Sequence, residues 1–127
     1  MPNIPSVNLQ AYSLETVIAE KFHTMLDRDE YNSRMKDFFD CYQLLTKRLL
    51  DDETLYDAIK ATFDNRELEY NPKLKLFTAE FVNDANRQMQ WKLFLRKIQW
   101  KEELSFNVVM QAITDRLKPM AEKYWNK

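Results

Sequence analysis

A chain of 127 residues, 45% apolar and 31% charged, has the makings of one globular domain with a sizeable core. Its net charge of −1 and pI near 5.9 supply no overall field to recruit nucleic acid or an anionic membrane. Glycine is absent, which argues against glycine-rich phosphate loops, and the single histidine, His23, excludes HExxH and Ser-His-Asp arrangements within the chain. The lone Cys41 excludes an internal disulfide and suits a reducing compartment. With no signal peptide and no apolar stretch of spanning length, the protein is expected to be cytoplasmic, with no membrane partner. A zinc site would need Cys41, His23 and carboxylates to converge, so no metal ligand is assigned.

Residues 1–12 read as an extended arm or short strand, with Val7, Leu9 and Ala11 alternating after Pro2 and Pro5. Ser13 then serves as N-cap of a first helix over about 14–28, with Glu15 at its positive end. A second helix is expected over about 32–49, capped by Asn32 or Ser33, and a third over about 52–66, capped by Asp51 or Asp52. In the third, Leu55, Ile59, Thr62 and Phe63 share one face. A loop around Pro72 leads to Thr78, the cap of a fourth helical region that breaks near Asn83–Asn86 and carries Trp91, Phe94, Leu95 and Ile98. Ser105 opens the last helix, with a stripe of Phe106, Val109, Met110, Ile113, Leu117 and Met120, and Pro119 is expected to kink it or begin a final turn. Without glycine, helices are expected to end at asparagine or in 3₁₀ turns. The fold class is therefore mainly α, a bundle-like domain of five to six helices at 13–127 behind the N-terminal arm.

The first two helices carry charge inside their apolar stripes. At about 100° per residue, Lys21 falls between Ile18 and Met25, near the middle of the apolar face. A lysine there needs a partner or a polar cavity. His23 falls on the opposite face and is expected to be solvated. On the second helix Phe38, Tyr42, Leu45 and Leu49 form the core row, with Arg34 among them and Asp37 at its border. Asp40 points about 160° from Phe38, beside Lys36 on a wet face. The simplest partnership is a salt bridge from Lys21 to Asp37, with Arg34 nearby.

Two stretches, "YSLETVIAEKFHTML" and "NSRMKDFFDCYQLL", carry a resemblance to the AbiEii/AbiGii-type nucleotidyltransferase toxin family. That family has a serine-leucine-glutamate helix start, an alanine-glutamate-lysine motif, and an arginine/lysine-aspartate-x-x-aspartate motif on the next helix. Here these are Ser13-Leu14-Glu15, Ala19-Glu20-Lys21 and Lys36-Asp37-x-x-Asp40. "AIKATFDNRELEY" and "QWKLFLRK" also look like the family's helical tail, so the resemblance runs along nearly the whole chain.

The resemblance implies a polymerase-β-like nucleotidyltransferase, the toxin of a toxin–antitoxin or phage-defence pair, that moves nucleotides from NTP, for some members onto tRNA. It implies Lys21 on the NTP phosphates and Asp37 as active-site base or orienting group, with Glu20, Arg34 and Asp40 in support. It also implies Mg²⁺ for the complete enzyme, held by a Gly-Ser turn followed by an Asp-x-Asp pair on an N-terminal sheet. This chain has no glycine, and its one Asp-x-Asp, Asp27-Arg28-Asp29, closes the first helix.

The expectation is thus the C-terminal helical half of such an enzyme, inactive alone, with the arm a remnant of the last strand of the missing half. It would be a truncated product, or a split protein that finds its N-terminal half in cis or trans; the unpaired arm also favours homo-oligomers. The alternative reading is a non-catalytic helical module that keeps the family fold and binds a protein partner.

Overall fold

The computed structural model describes residues 13–126, so the expected arm at 1–12 lies outside the described residues. Six α-helices follow: α1 Leu14–Arg28, α2 Met35–Lys47, α3 Asp52–Asn65, α4 Ala79–Asn83, α5 Ala85–Lys97 and α6 Phe106–Trp125. A 3₁₀ turn, Asp29–Tyr31, links α1 to α2. No strand occurs among the described residues, and no described helix is long and apolar enough to cross a membrane.

Most helix starts are written in side chains that satisfy the orphaned first-turn amides. Ser13, Asp51, Thr78, Asp84 and Ser105 each accept a backbone N–H from three residues on. The start of α2 departs from this grammar. Asn32 folds its Oδ1 onto the Arg34 N–H at 2.8 Å in a local turn, so the helix begins at Met35 rather than near 32. Its end is early as well. Arg48 is already extended and Leu49 is fully exposed, outside the core row assigned to it, while Leu50 packs against the core instead.

Helix ends use the 3₁₀ turn after α1, but α3 and α5 leave through Glu67 (φ 53°) and Gln99 (φ 59°) rather than through asparagine. In both cases the following residue closes the exit. Leu68 N–H reaches Phe63 C=O at 3.0 Å, and Trp100 N–H reaches Leu95 C=O at 2.9 Å. Pro119 does not end α6, which continues to Trp125.

The core is one cluster. α1 lies between α3 and α2; α6 packs against α2, α3 and α4; α5 rests on α2 and α4. Phe63 joins Phe22, Tyr124 and Trp125 at one end of α6. Phe106, at the other end, meets Phe38, Phe81 and Trp91. The Trp91 indole N–H donates to Leu104 C=O at 2.9 Å, so its burial leaves no donor stranded. The stripes expected on α3 and α6 are buried as assigned, except that Met120 is only partly covered.

Burial of α1 on two sides changes the reading of His23. It is 7% exposed, beside Phe63 at 6.2 Å between ring centroids, and not in solvent. A wheel with one apolar face fails for a helix packed against two neighbours.

Candidate active site

Lys21 of α1 and Asp37 of α2 meet where these helices pack. Apolar neighbours Ile18, Phe22 and Met25 are buried in the core and fix the α1 backbone, leaving Lys21 at the helix boundary with its side chain 22% exposed. Its Nζ lies 3.1 Å from Asp37 Oδ1 and 3.3 Å from Asp40 Oδ2. Asp37 is the more buried carboxylate, and its Oδ2 lies 3.2 Å from Arg34 Nε. Asp40 Oδ2 also meets Lys36 Nζ at 2.7 Å.

The result is an alternating chain, Arg34–Asp37–Lys21–Asp40–Lys36, with three cations, two carboxylates and one positive charge in excess. Burial alone would lower the Lys21 pKa, but hydrogen bonds and charge from Asp37 and Asp40 outweigh it and hold the ammonium above its ordinary 10.5. Lys21 is therefore a permanent cation near neutral pH. Beneath the cluster, Cys41 is wholly buried, and its thiol is pushed up to about 12, chiefly by burial.

Three site residues sit differently from their sequence-based placement. Asp40 does pair with Lys36, but it also faces Lys21, because Asp37 and Asp40 stand three apart on one side of α2 and both come within reach of the Lys21 ammonium. Arg34 is not in the core row; it precedes the first turn of α2 and its side chain is 57% exposed. Glu20 turns to Arg66 at the end of α3 and makes its salt bridge there, outside the cluster.

Asp29 is the residue that sequence reasoning undervalued. It is buried, with φ 48°, and its carboxylate accepts Lys75 N–H at 2.9 and 3.0 Å and Leu76 N–H at 2.8 Å. Reading Asp27-Arg28-Asp29 only as the close of the first helix missed this tie. The available signal was an aspartate at a helix exit, where its side chain can satisfy backbone donors.

The cluster does not fit a divalent cation. Asp37 Oδ1, Asp37 Oδ2 and Asp40 Oδ2 each already meet an ammonium or guanidinium, and the excess charge is positive. Among the described residues no group of three or more His, Cys, Asp or Glu side chains is placed to hold a metal. The arrangement suits an anion instead. Exposed Arg34 and Lys36 flank a half-buried Lys21, so the excess positive charge is open to solvent on two sides.

No curated protein and no solved structure matches this chain. A family model does, "Nucleotidyl transferase AbiEii toxin, Type IV TA system", over residues 1–112. The match spans α1 to α5 and the first part of α6, and so takes in both helices that build the cluster. The chain belongs to the AbiEii nucleotidyl transferase toxin family.

Proposed function

We propose that this chain supplies the phosphate-binding, helical half of an AbiEii-like nucleotidyltransferase and transfers no nucleotide by itself. The observation behind this reading is the convergence of two helix motifs, 16 residues apart, into a cluster with one cation in excess. Lys21 contacts the triphosphate, with Arg34 and Lys36 as outer cations. Asp37 is a positioning residue: both its oxygens are held by cations, and it keeps Lys21 aimed from a fixed direction. Asp40 is a second, more exposed holder of Lys21.

The metal-holding carboxylates belong, in this reading, to an N-terminal nucleotidyltransferase half. The complete toxin would act in the cytoplasm on an RNA acceptor such as tRNA, in a phage-defence setting and under an antitoxin's control.

Labelled NTP incorporation into RNA tests this. The 127-residue chain alone should incorporate nothing, whereas the chain joined to a matching half with a Gly-Ser…Asp-x-Asp segment should transfer. In the joined enzyme Lys21→Ala should lower transfer at least 100-fold, Asp37→Ala at least tenfold, and Asp40→Ala less. Lys47→Ala, at the exposed end of α2, should leave it unchanged. Incorporation by the chain alone that Lys21→Ala abolishes would overturn the half-site reading; full activity of Lys21→Ala in the joined enzyme would overturn the role of Lys21.

A further inference from the structure

Charge is unevenly distributed along this chain. Between Ala85 and Lys101 stand Arg87, Lys92, Arg96, Lys97 and Lys101, with no acidic residue, in a protein whose net charge is −1. Arg87 is used internally: it donates to Phe81 C=O at 3.0 Å and to Glu30 C=O at 2.7 Å. Lys92, Arg96 and Lys97 are exposed and form no ion pair with any described residue. They surround an apolar ridge. Met89 is 55% and Leu93 50% exposed, and Trp91 is the one fully buried residue of α5.

A counterpart lies elsewhere on the molecule. A groove of about 570 Å³ between α3 and α6 is lined by Tyr56, Pro119 and Met120 and by Asp52, Glu53 and Asp57. Lys123 also lines it, but its ammonium sits 4.3 Å over the Tyr56 ring, and Asp52 is taken by Arg116. Glu53 and Asp57 are exposed and unpaired among the described residues.

We propose that the outer face of α5 docks into the α3–α6 groove of a second copy of this chain, with Leu93 and Met89 on the apolar lining and Lys92 and Arg96 against Glu53 and Asp57. One molecule cannot make this contact with itself, because α3 packs on α1 and α6 whereas α5 packs on α2 and α4. The near-zero net charge leaves little long-range repulsion between copies, so the opposed patches govern their approach. Because face and groove are different surfaces, the contact is heterologous: each docked pair leaves one of each exposed, and assembly extends until a ring closes. This is independent of the arm and of nucleotide chemistry.

Sedimentation velocity on the whole chain tests it, at low ionic strength and at about 1 M salt, where the screening length is about 3 Å. The wild type should self-associate with rising concentration at low salt and fall apart at high salt. Lys92→Glu/Arg96→Glu and Glu53→Lys/Asp57→Lys should each weaken association at least tenfold, yet an equimolar mixture of the two should associate again. All four positions are exposed, and unchanged circular dichroism verifies folding. A wild type that stays monomeric at low salt, a groove variant that associates normally, or a mixture that stays apart would each overturn the proposal. A monomeric wild type whose α5 variant alone loses affinity for a short single-stranded RNA would assign the face to nucleic acid and overturn it as well.

Discussion

Burial acts on Lys21 and His23 alike, lowering both pKa values, yet these two residues of α1 end on opposite sides of their ordinary values because their neighbours differ. Lys21 has two carboxylates within salt-bridge distance, so its charge survives partial burial. His23 has no such partner among the described residues: its Nδ1 is buried without a hydrogen bond to any of them, and burial, followed by the positive charge of Arg66, holds its imidazole below the ordinary 6.5. Asp27 and Glu20 oppose this only in part. The folded state thus resists a proton that the unfolded chain accepts. Stability associated with His23 is present above pH 6.5 and is lost as pH falls from there toward the lower folded value. The loss can be no steeper than about 1.4 kcal/mol per pH unit, the limit for one proton. Urea midpoints measured at steps between about pH 7.5 and pH 5 should drop for the wild type and drop less for His23→Leu. Equal drops in the two proteins would show that His23 is not the group.

Elements whose ends are built from local side-chain chemistry were legible in the sequence. Ser13, Asp51, Thr78 and Ser105 hold their amides within three residues, a range that the chain itself encodes, and the boundaries of α1, α3 and α6 follow. The Lys21–Asp37 pair was legible for a related reason: a cation inside an apolar stripe demands an anion on the facing helix. What depends on a third element was not legible. His23 is covered by α3, Glu20 is drawn away by Arg66 at the end of α3, and Asp29 binds amides 46 and 47 residues on. That last tie holds the segment entering α4 onto the end of α1. Asp29→Ala would strand the amides of Lys75 and Leu76, the latter fully buried, and should lower unfolding free energy by about 2–4 kcal/mol. Asp29→Asn keeps one acceptor oxygen and should lose less. Denaturant titration checks the order, and an alanine variant as stable as the wild type would refute the tie.

At the scale of the whole molecule, α6 is the spine. It enters the core with Phe106 against Phe38 and leaves with Tyr124 against Phe63, so both aromatic clusters depend on it. The family match stops at residue 112, yet Ile113, Leu117, Ala121 and Tyr124 beyond it are buried. Each large apolar side chain removed from such a core costs about 2–5 kcal/mol, against a total stability of about 5–15 kcal/mol. A chain cut after residue 112 should therefore keep some helical signal in circular dichroism but lose its cooperative thermal transition. A sharp transition in the shortened chain would mean that the first 112 residues carry a sufficient core alone.

Cys41 turns the packing of α1 on α2 into something a reagent can time. Its sulfur is sealed in the core, and with a thiol pushed up to about 12 almost none is thiolate at neutral pH even when a probe arrives. Alkylation must wait for an opening that both exposes the sulfur and restores its ordinary acidity. Each labelled molecule therefore records one such excursion, and because the protein has a single cysteine, the tally is unambiguous. On the proposed role of Lys21, bound triphosphate would steady it over α2 and slow that clock, so occupancy of the cation cluster would be read as delay in a reaction at an atom the ligand never touches.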